Sequence, residues 1–252
     1  MNLVIDIGNS SAKIGCFSDD PTRTTYRRIT HAELRPVAEA LQPRHILISS
    51  VAGDAQAWKV ALAGITDTIL LLDHQLPLPF VNHYQTPHTL GTDRLAAVAG
   101  AQALYPGQSC LVIDAGTCIK YEWLENGTDY QGGSISPGLR MRFQAMHTFT
   151  SRLPLVEPDS NVPLTGTSTQ TALQSGVLYG MLAEMEGISN RYRTTIPGLL
   201  VILCGGDAHF FERRLKTPIF AVSELVLIGL NHILNFNLKA SNVADLRPGA
   251  AD

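Results

Sequence analysis

Residues 3–8 read Leu-Val-Ile-Asp-Ile-Gly, and residues 111–116 read Leu-Val-Ile-Asp-Ala-Gly, each followed by small polar residues. A short aliphatic run is a buried strand. An aspartate at its end presents a carboxylate at the carboxyl edge of a sheet, where α/β proteins place ligands. The glycine two residues on lets the backbone turn and come close to an oxygen-rich ligand. One Asp-x-Gly is weak evidence, because it is also an ordinary turn. Two copies in matching contexts, with a third strand ending in VILCGGD (residues 201–207), carry far more. They imply two half-molecules built on one plan.

The rest of the chain alternates in the same manner. LVIDIGNSSAK (residues 3–13) predicts two strands joined by a tight turn at Gly8-Asn9-Ser10. Helix and strand patterns follow in alternation to about residue 73. A connector holding Pro77, Pro79 and Pro87 excludes a long helix before TDRLAAVAGAQALY (residues 92–105), which reads as helical and stops at Pro106-Gly107. The second half restarts with a strand at 110, a second strand, and GGSISPG (132–138) leading into a helix. A long helix spans 169–193, then a strand ending at Gly206, a helix over HFFERRL (209–215), and a closing helix over 222–236. The expected architecture is α/β, with mixed sheets flanked by helices. Its two halves are residues 1–109 and 110–252. Gly176 and Gly180, four apart on the long helix, are expected to permit close helix packing.

Composition narrows the function. Charged residues are 16% of the 252, hydrophobic residues 45%, and the formal net charge is −3. The charge offers no electrostatic reason for nucleic acid or an anionic membrane as partner. The sparse charge favours a buried subunit interface. Cys16, Cys110, Cys118 and Cys204 form no CxxC pair and read as free thiols in a reducing compartment. The N-terminal run contains Asp6 and lacks a basic segment, so it does not read as a signal peptide. No apolar run reaches the ~18 residues of a membrane span. A cytoplasmic protein acting on small molecules is expected. P-loop, GxGxxG, HExxH and GxSxG patterns are all absent from the sequence.

Six segments together resemble a known family: DIGNSSAK (6–13), GTDR (91–94), DAGT (114–117), GGSISPGL (132–139), GTSTQTALQSG (166–176) and CGGD (204–207). In this order, over nearly the whole chain, they resemble the type III pantothenate kinases. These belong to the acetate kinase/sugar kinase/Hsp70/actin superfamily. The resemblance implies two duplicated actin-like (ribonuclease H-like) halves with a nucleotide cleft between them, and Asp6 and Asp114 facing across it. It implies that Asp6, Ile7, Gly8, Asn9, Ser10, Ser11, Ala12 and Lys13 hold ATP phosphates, with a further nucleotide contact at Thr117. Asp114 would ligate a monovalent cation, potassium or ammonium, with magnesium arriving on ATP. Tyr84, Gly91, Thr92, Asp93, Arg94 and Thr169 would bind pantothenate, and Asp93 would accept the proton. A homodimer is implied, with the long helix of the second half a candidate interface. Ser10 stands where the family more often has threonine, and Cys118-Ile119-Lys120 is less typical after the Asp-Ala-Gly-Thr turn.

The residues bear such roles on their own chemistry. Asp93 stands at a helix start, where the dipole favours its ionised form. An ionised carboxylate accepts a proton from an attacking hydroxyl, and the adjacent Arg94 suits an anionic substrate. Asp93 also reads as a plain helix cap, Tyr84 as a packing residue, Lys13 as a solvated strand residue, and Thr169 as an N-cap. The expected activity is ATP-dependent phosphorylation of pantothenate, the first step of coenzyme A synthesis. Another small-molecule kinase of the superfamily, or a non-catalytic nucleotide-binding regulator, are the readings it competes with.

Overall fold

A computed structural model describes residues 1–51, 53–216 and 218–245. The chain divides into two compact units.

The first opens on β1 (Asn2–Ile7) and β2 (Ala12–Phe17), paired antiparallel around the Gly8–Ser11 turn. The pairing extends to β3 (Thr25–Ile29). After α1 (Leu34–Leu41), β4 (His45–Ser50) joins β1 in parallel. After α2 (Ala55–Ala61), β5 (Thr68–Leu71) joins β4, giving the order β3-β2-β1-β4-β5. Alternation sorts the strands' side chains. Leu3, Ile5, Ile7, Ile14, Ile46 and Ile48 pack with Leu34, Ala38 and Leu62 in one core cluster. The short β6 (Val81–Asn82) pairs in parallel with Asp129–Tyr130. α3 (Thr92–Leu104) is buried from Arg94 through Ala101. Its run of alanines with Gly100 leaves room for a second backbone to come close, the packing logic of small residues.

The second unit repeats the plan. β7 (Cys110–Ala115) pairs antiparallel with β8 (Cys118–Glu125), followed by β9 (Asp129–Pro137). Then come α4 (Leu139–Thr148), α5 (Thr169–Thr195), β10 (Leu200–Cys204), α6 (Ala208–Phe211) and β11 (Phe220–Ala221). β10 joins β7 in parallel and β11 joins β10. Apart from the short β6 beside β9, the order β9-β8-β7-β10-β11 therefore reproduces the order of the first sheet. Leu111, Ile113, Met181, Met185, Val201 and Phe211 are among the residues of its core.

The closing helix α7 (Leu225–Asp245) returns to the first unit, where it packs on α3 and on β1. By contacts, residues 127–130 and 224–245 go with residues 1–107, which differs from a single boundary at 109/110. GGSISPG leads into α4 as expected, by way of the end of β9. Two local expectations change. The helix expected over 209–215 ends at Phe211. Gly176 and Gly180 meet no neighbour within 4 Å of an added Cβ, so no helix among the described residues packs on them. No disulfide joins the four cysteines, and burial pushes the Cys110 thiol pKa up to about 12. Among the described residues no helix is long and apolar enough to cross a membrane.

Candidate active site

The first hairpin positions residues 6–13. Its register sets Asp6 opposite Lys13, so both side chains stand on one face. The turn closes through Gly8 N–H donating to the carbonyl of Ser11 at 3.0 Å. Asn9 and Ser10 are exposed at its tip. Two residues that sequence reasoning did not single out support it. Arg28, opposite Lys13 on β3, donates to Ser11 Oγ at 3.3 Å, and His31 Nε2 lies 3.1 Å from the carbonyl oxygen of Gly8. Ile7, the last residue of β1, and Ala12, the first of β2, are fully buried and anchor the turn to the core. The turn thus has two cationic residues, Lys13 and Arg28, paired beside it on β2 and β3.

The start of α3 assembles the second group. Thr92 Oγ1 lies 2.9 Å from Ser49 Oγ on β4, which ties the helix start to the sheet edge. Asp93, in the first helical turn, accepts a hydrogen bond from the backbone N–H of Arg94 at 2.9 Å. Gly91 makes this possible, since a Cβ there would stand 2.6 Å from Asp93 Oδ1. Arg94 is 5% exposed, and its guanidinium lies over the ring of Tyr84, 5.2 Å from the centroid. Tyr84 in turn stacks on the buried ring of Tyr130, with planes 10° apart. Tyr84, Gly91, Thr92, Asp93 and Arg94 thus come together in the first unit. Thr169 belongs to the second unit. It is the exposed first residue of α5, and the N-cap is Ser168, not Thr169.

The second hairpin carries Asp114 and Thr117. Thr117 is exposed on the turn, beside a cavity of about 470 Å³ lined by Arg140, Met141, Gln144 and Phe149 among others. Asp114 is 7% exposed and lies opposite Lys120 in the β7–β8 register. The Lys120 ammonium reaches its Oδ2 at 2.6 Å. The other carboxylate oxygen faces the CGGD turn. Gly205, at φ +95°, approaches so closely that a Cβ would stand 2.4 Å from Asp114 Oδ1. Asp207 N–H then donates to the carbonyl of Ala115 at 2.9 Å, locking that turn onto β7.

The resemblance assigns Asp114 to a monovalent cation, and these contacts do not fit one. One oxygen is already held by an ammonium, so an added cation at this carboxylate would meet like charge. Among the described residues no group of three or more His, Cys, Asp or Glu side chains is arranged to hold a metal.

Comparison with known proteins gives the family. The family model described as type III pantothenate kinase matches residues 2–191. The type III pantothenate kinase of Cytophaga hutchinsonii is 45% identical over 241 residues, covering 94% of this chain and 100% of that one. That of Phocaeicola vulgatus is 44% identical, covering 95% and 100%. Among solved structures, a Campylobacter jejuni protein described as a conserved member of the Baf family of transcriptional activators superposes with a TM-score of 0.63. It shares 21% identity over 94% of this chain and 99% of that one. The activator of 2-hydroxyisocaproyl-CoA dehydratase from Clostridium difficile, with bound ADPNP, gives 0.55 at 12% identity, covering 99% of each chain. At these identities the structures speak for the duplicated fold, while the sequence relatives speak for the family. This chain belongs to the type III pantothenate kinase family.

Proposed function

We propose that Asp93 is the general base in the ATP-dependent phosphorylation of pantothenate, with Tyr84 and Arg94 holding the acceptor. The reaction transfers the γ-phosphoryl group of ATP to the primary hydroxyl of pantothenate, giving 4'-phosphopantothenate, the first step of coenzyme A synthesis. The observation that carries the assignment is the cluster at the start of α3, where Gly91 leaves space for the Asp93 carboxylate beside Arg94 and Tyr84.

As the hydroxyl oxygen bonds to the γ-phosphorus, the bond from that phosphorus to the bridging oxygen of ADP breaks. The hydroxyl proton passes to Asp93. Little else in phosphoryl transfer is covalent, so the remaining work is positioning and charge neutralisation. Arg94, nearly buried and stacked, presents a preorganised fork to the pantothenate carboxylate. Gly91 and Thr92 set the helix start beside it, and Thr169 adds a further acceptor contact. Residues 6–13 hold the phosphates through turn amides and Lys13, and Thr117 contacts the nucleotide. Magnesium arrives with ATP. A positive charge at Asp114 belongs to the same scheme.

The enzyme in this reading is a cytoplasmic homodimer. Free thiols suit a reducing compartment. On α5, the exposed small residues Ala172, Gly176, Gly180, Ala183 and Gly187 offer a face along which two helices can approach. Coupled detection of ADP with pantothenate as the only acceptor tests the function. Pantothenate-dependent turnover is expected. ADP release only with a different small alcohol, or none beside intact nucleotide binding, would overturn it.

A further inference from the structure

We infer that the Lys120 ammonium supplies the positive charge at Asp114, so that this enzyme turns over without a potassium or ammonium activator. The inference rests on the kinase reading above and deepens it.

Three independent features converge. The β7–β8 register places Asp114 and Lys120 directly opposite one another, with both side chains on one face. Their contact is short, 2.6 Å, and shielded, with the two side chains 10% and 15% exposed respectively. A pair screened from water keeps its geometry and its interaction at ordinary ionic strength. Gly205 brings the CGGD backbone up to the other carboxylate oxygen, leaving no room for a side chain between them.

The duplication gives the pair a functional context. The first hairpin sets Lys13 opposite Asp6 in the corresponding place. Each half thus carries a strand-end aspartate with a lysine across the hairpin from it. In the first half that lysine stands beside the turn assigned to phosphate. In the second, the lysine is bound to the carboxylate that the resemblance gives to an ion. A tethered ammonium carries the same unit charge as potassium and needs no dissolved ion to be bound. The charge that offsets developing negative charge near the phosphates is therefore part of the chain.

The test compares pantothenate-dependent ADP release in sodium, potassium, ammonium and tetramethylammonium chloride at equal ionic strength, for the wild type and for Lys120→Met. The wild type is expected to run at equal rates in all four salts, with an unchanged melting temperature. Lys120→Met is expected to lose roughly 10²-fold in kcat in sodium, and to recover specifically with potassium or ammonium, which would also raise its melting temperature. A wild type that is nearly silent in sodium and active in potassium overturns the proposal. So does a folded Lys120→Met that keeps its rate in sodium. The salt series on the wild type decides the matter even if the variant does not fold. Absence of turnover in every salt would speak against the kinase reading itself, whereas turnover that requires potassium removes only this inference.

Discussion

The Arg94 guanidinium lies over the Tyr84 ring, 5.2 Å from its centroid, while the backbone N–H of the same arginine holds the Asp93 carboxylate. One residue thus links the group assigned to the substrate's charge with the group assigned to its proton. Arg94→Lys keeps the charge and loses the planar fork and the stacking. The loss of a charge-assisted hydrogen bond is worth about 1.5–3 kcal/mol, or roughly 10–150-fold in kcat/KM for pantothenate. The effect should fall mainly on KM, with KM for ATP unchanged. Steady-state kinetics with each substrate varied checks this. Equal losses for both substrates would contradict the assignment.

Glu184, on α5, gathers Tyr121, Ser136 and Arg142 around one carboxylate. Burial raises its pKa, but the hydrogen bonds from Ser136, Arg142 and Tyr121 outweigh that and leave it below the usual 4.5. A depressed folded-state pKa stabilises the fold above the unfolded value, and that contribution is lost as pH falls through the folded one. Glu184→Gln should therefore melt below the wild type at neutral pH. The gap should shrink as pH drops below 4.5 toward the depressed value. Melting curves across pH 3–7 read this directly (about four pH values suffice to resolve the trend), and a gap independent of pH would contradict it.

Much of this architecture was legible in the residues. The two Leu-Val-Ile-Asp runs mark β1 and β7 because the same aliphatic run ending in Asp-x-Gly occurs twice. GTDR marks the start of α3 by the acidic residue in its first turn, although the N-cap itself is Gly91, with no side-chain cap bond. Other parts take their form from pairing. β3 carries Thr25, Tyr26, Arg27 and Arg28, all exposed, and is a strand through its ladder to β2. Arg28 was missed for that reason, and His31, just beyond β3, meets Gly8 only through the tertiary fold. β9 contains Gly132 and Gly133, which argue for a turn until β8 is beside it. The return of α7 to α3 is tertiary and leaves no local sign. Lys120 stood out only as an unusual residue after Asp-Ala-Gly-Thr. Its partner depends on the length of the hairpin loop, which register shows and composition does not.

Gly205 combines a positive φ with close backbone contact at Asp114 and Ala115. Gly205→Ala has to place a methyl group where neither the conformation nor the space allows one. Its cost should exceed the ~1 kcal/mol typical of a tolerated glycine exchange. Chemical denaturation checks this, and a variant as stable as the wild type would show that the CGGD turn relaxes freely.

Assembly has its own test. Light scattering should give about twice the 27.3 kDa chain mass. Gly180→Leu, on the exposed face of α5, has open space within its own chain and should fold normally. It should nonetheless shift the mass toward the monomer. A Gly180→Leu dimer as tight as the wild type would remove α5 from the interface.

Asp93→Asn carries the central claim. The exchange keeps size and helix-end hydrogen bonding while removing basicity, so the melting temperature should hardly move. Nucleotide binding should persist, because residues 6–13 lie on a different element. With pantothenate and ATP both saturating, kcat should fall roughly 10²–10⁴-fold, the usual worth of a positioned base. A folded Asp93→Asn enzyme with near wild-type kcat, changed only in KM for pantothenate, would make Asp93 a binding residue and leave the reaction without its base.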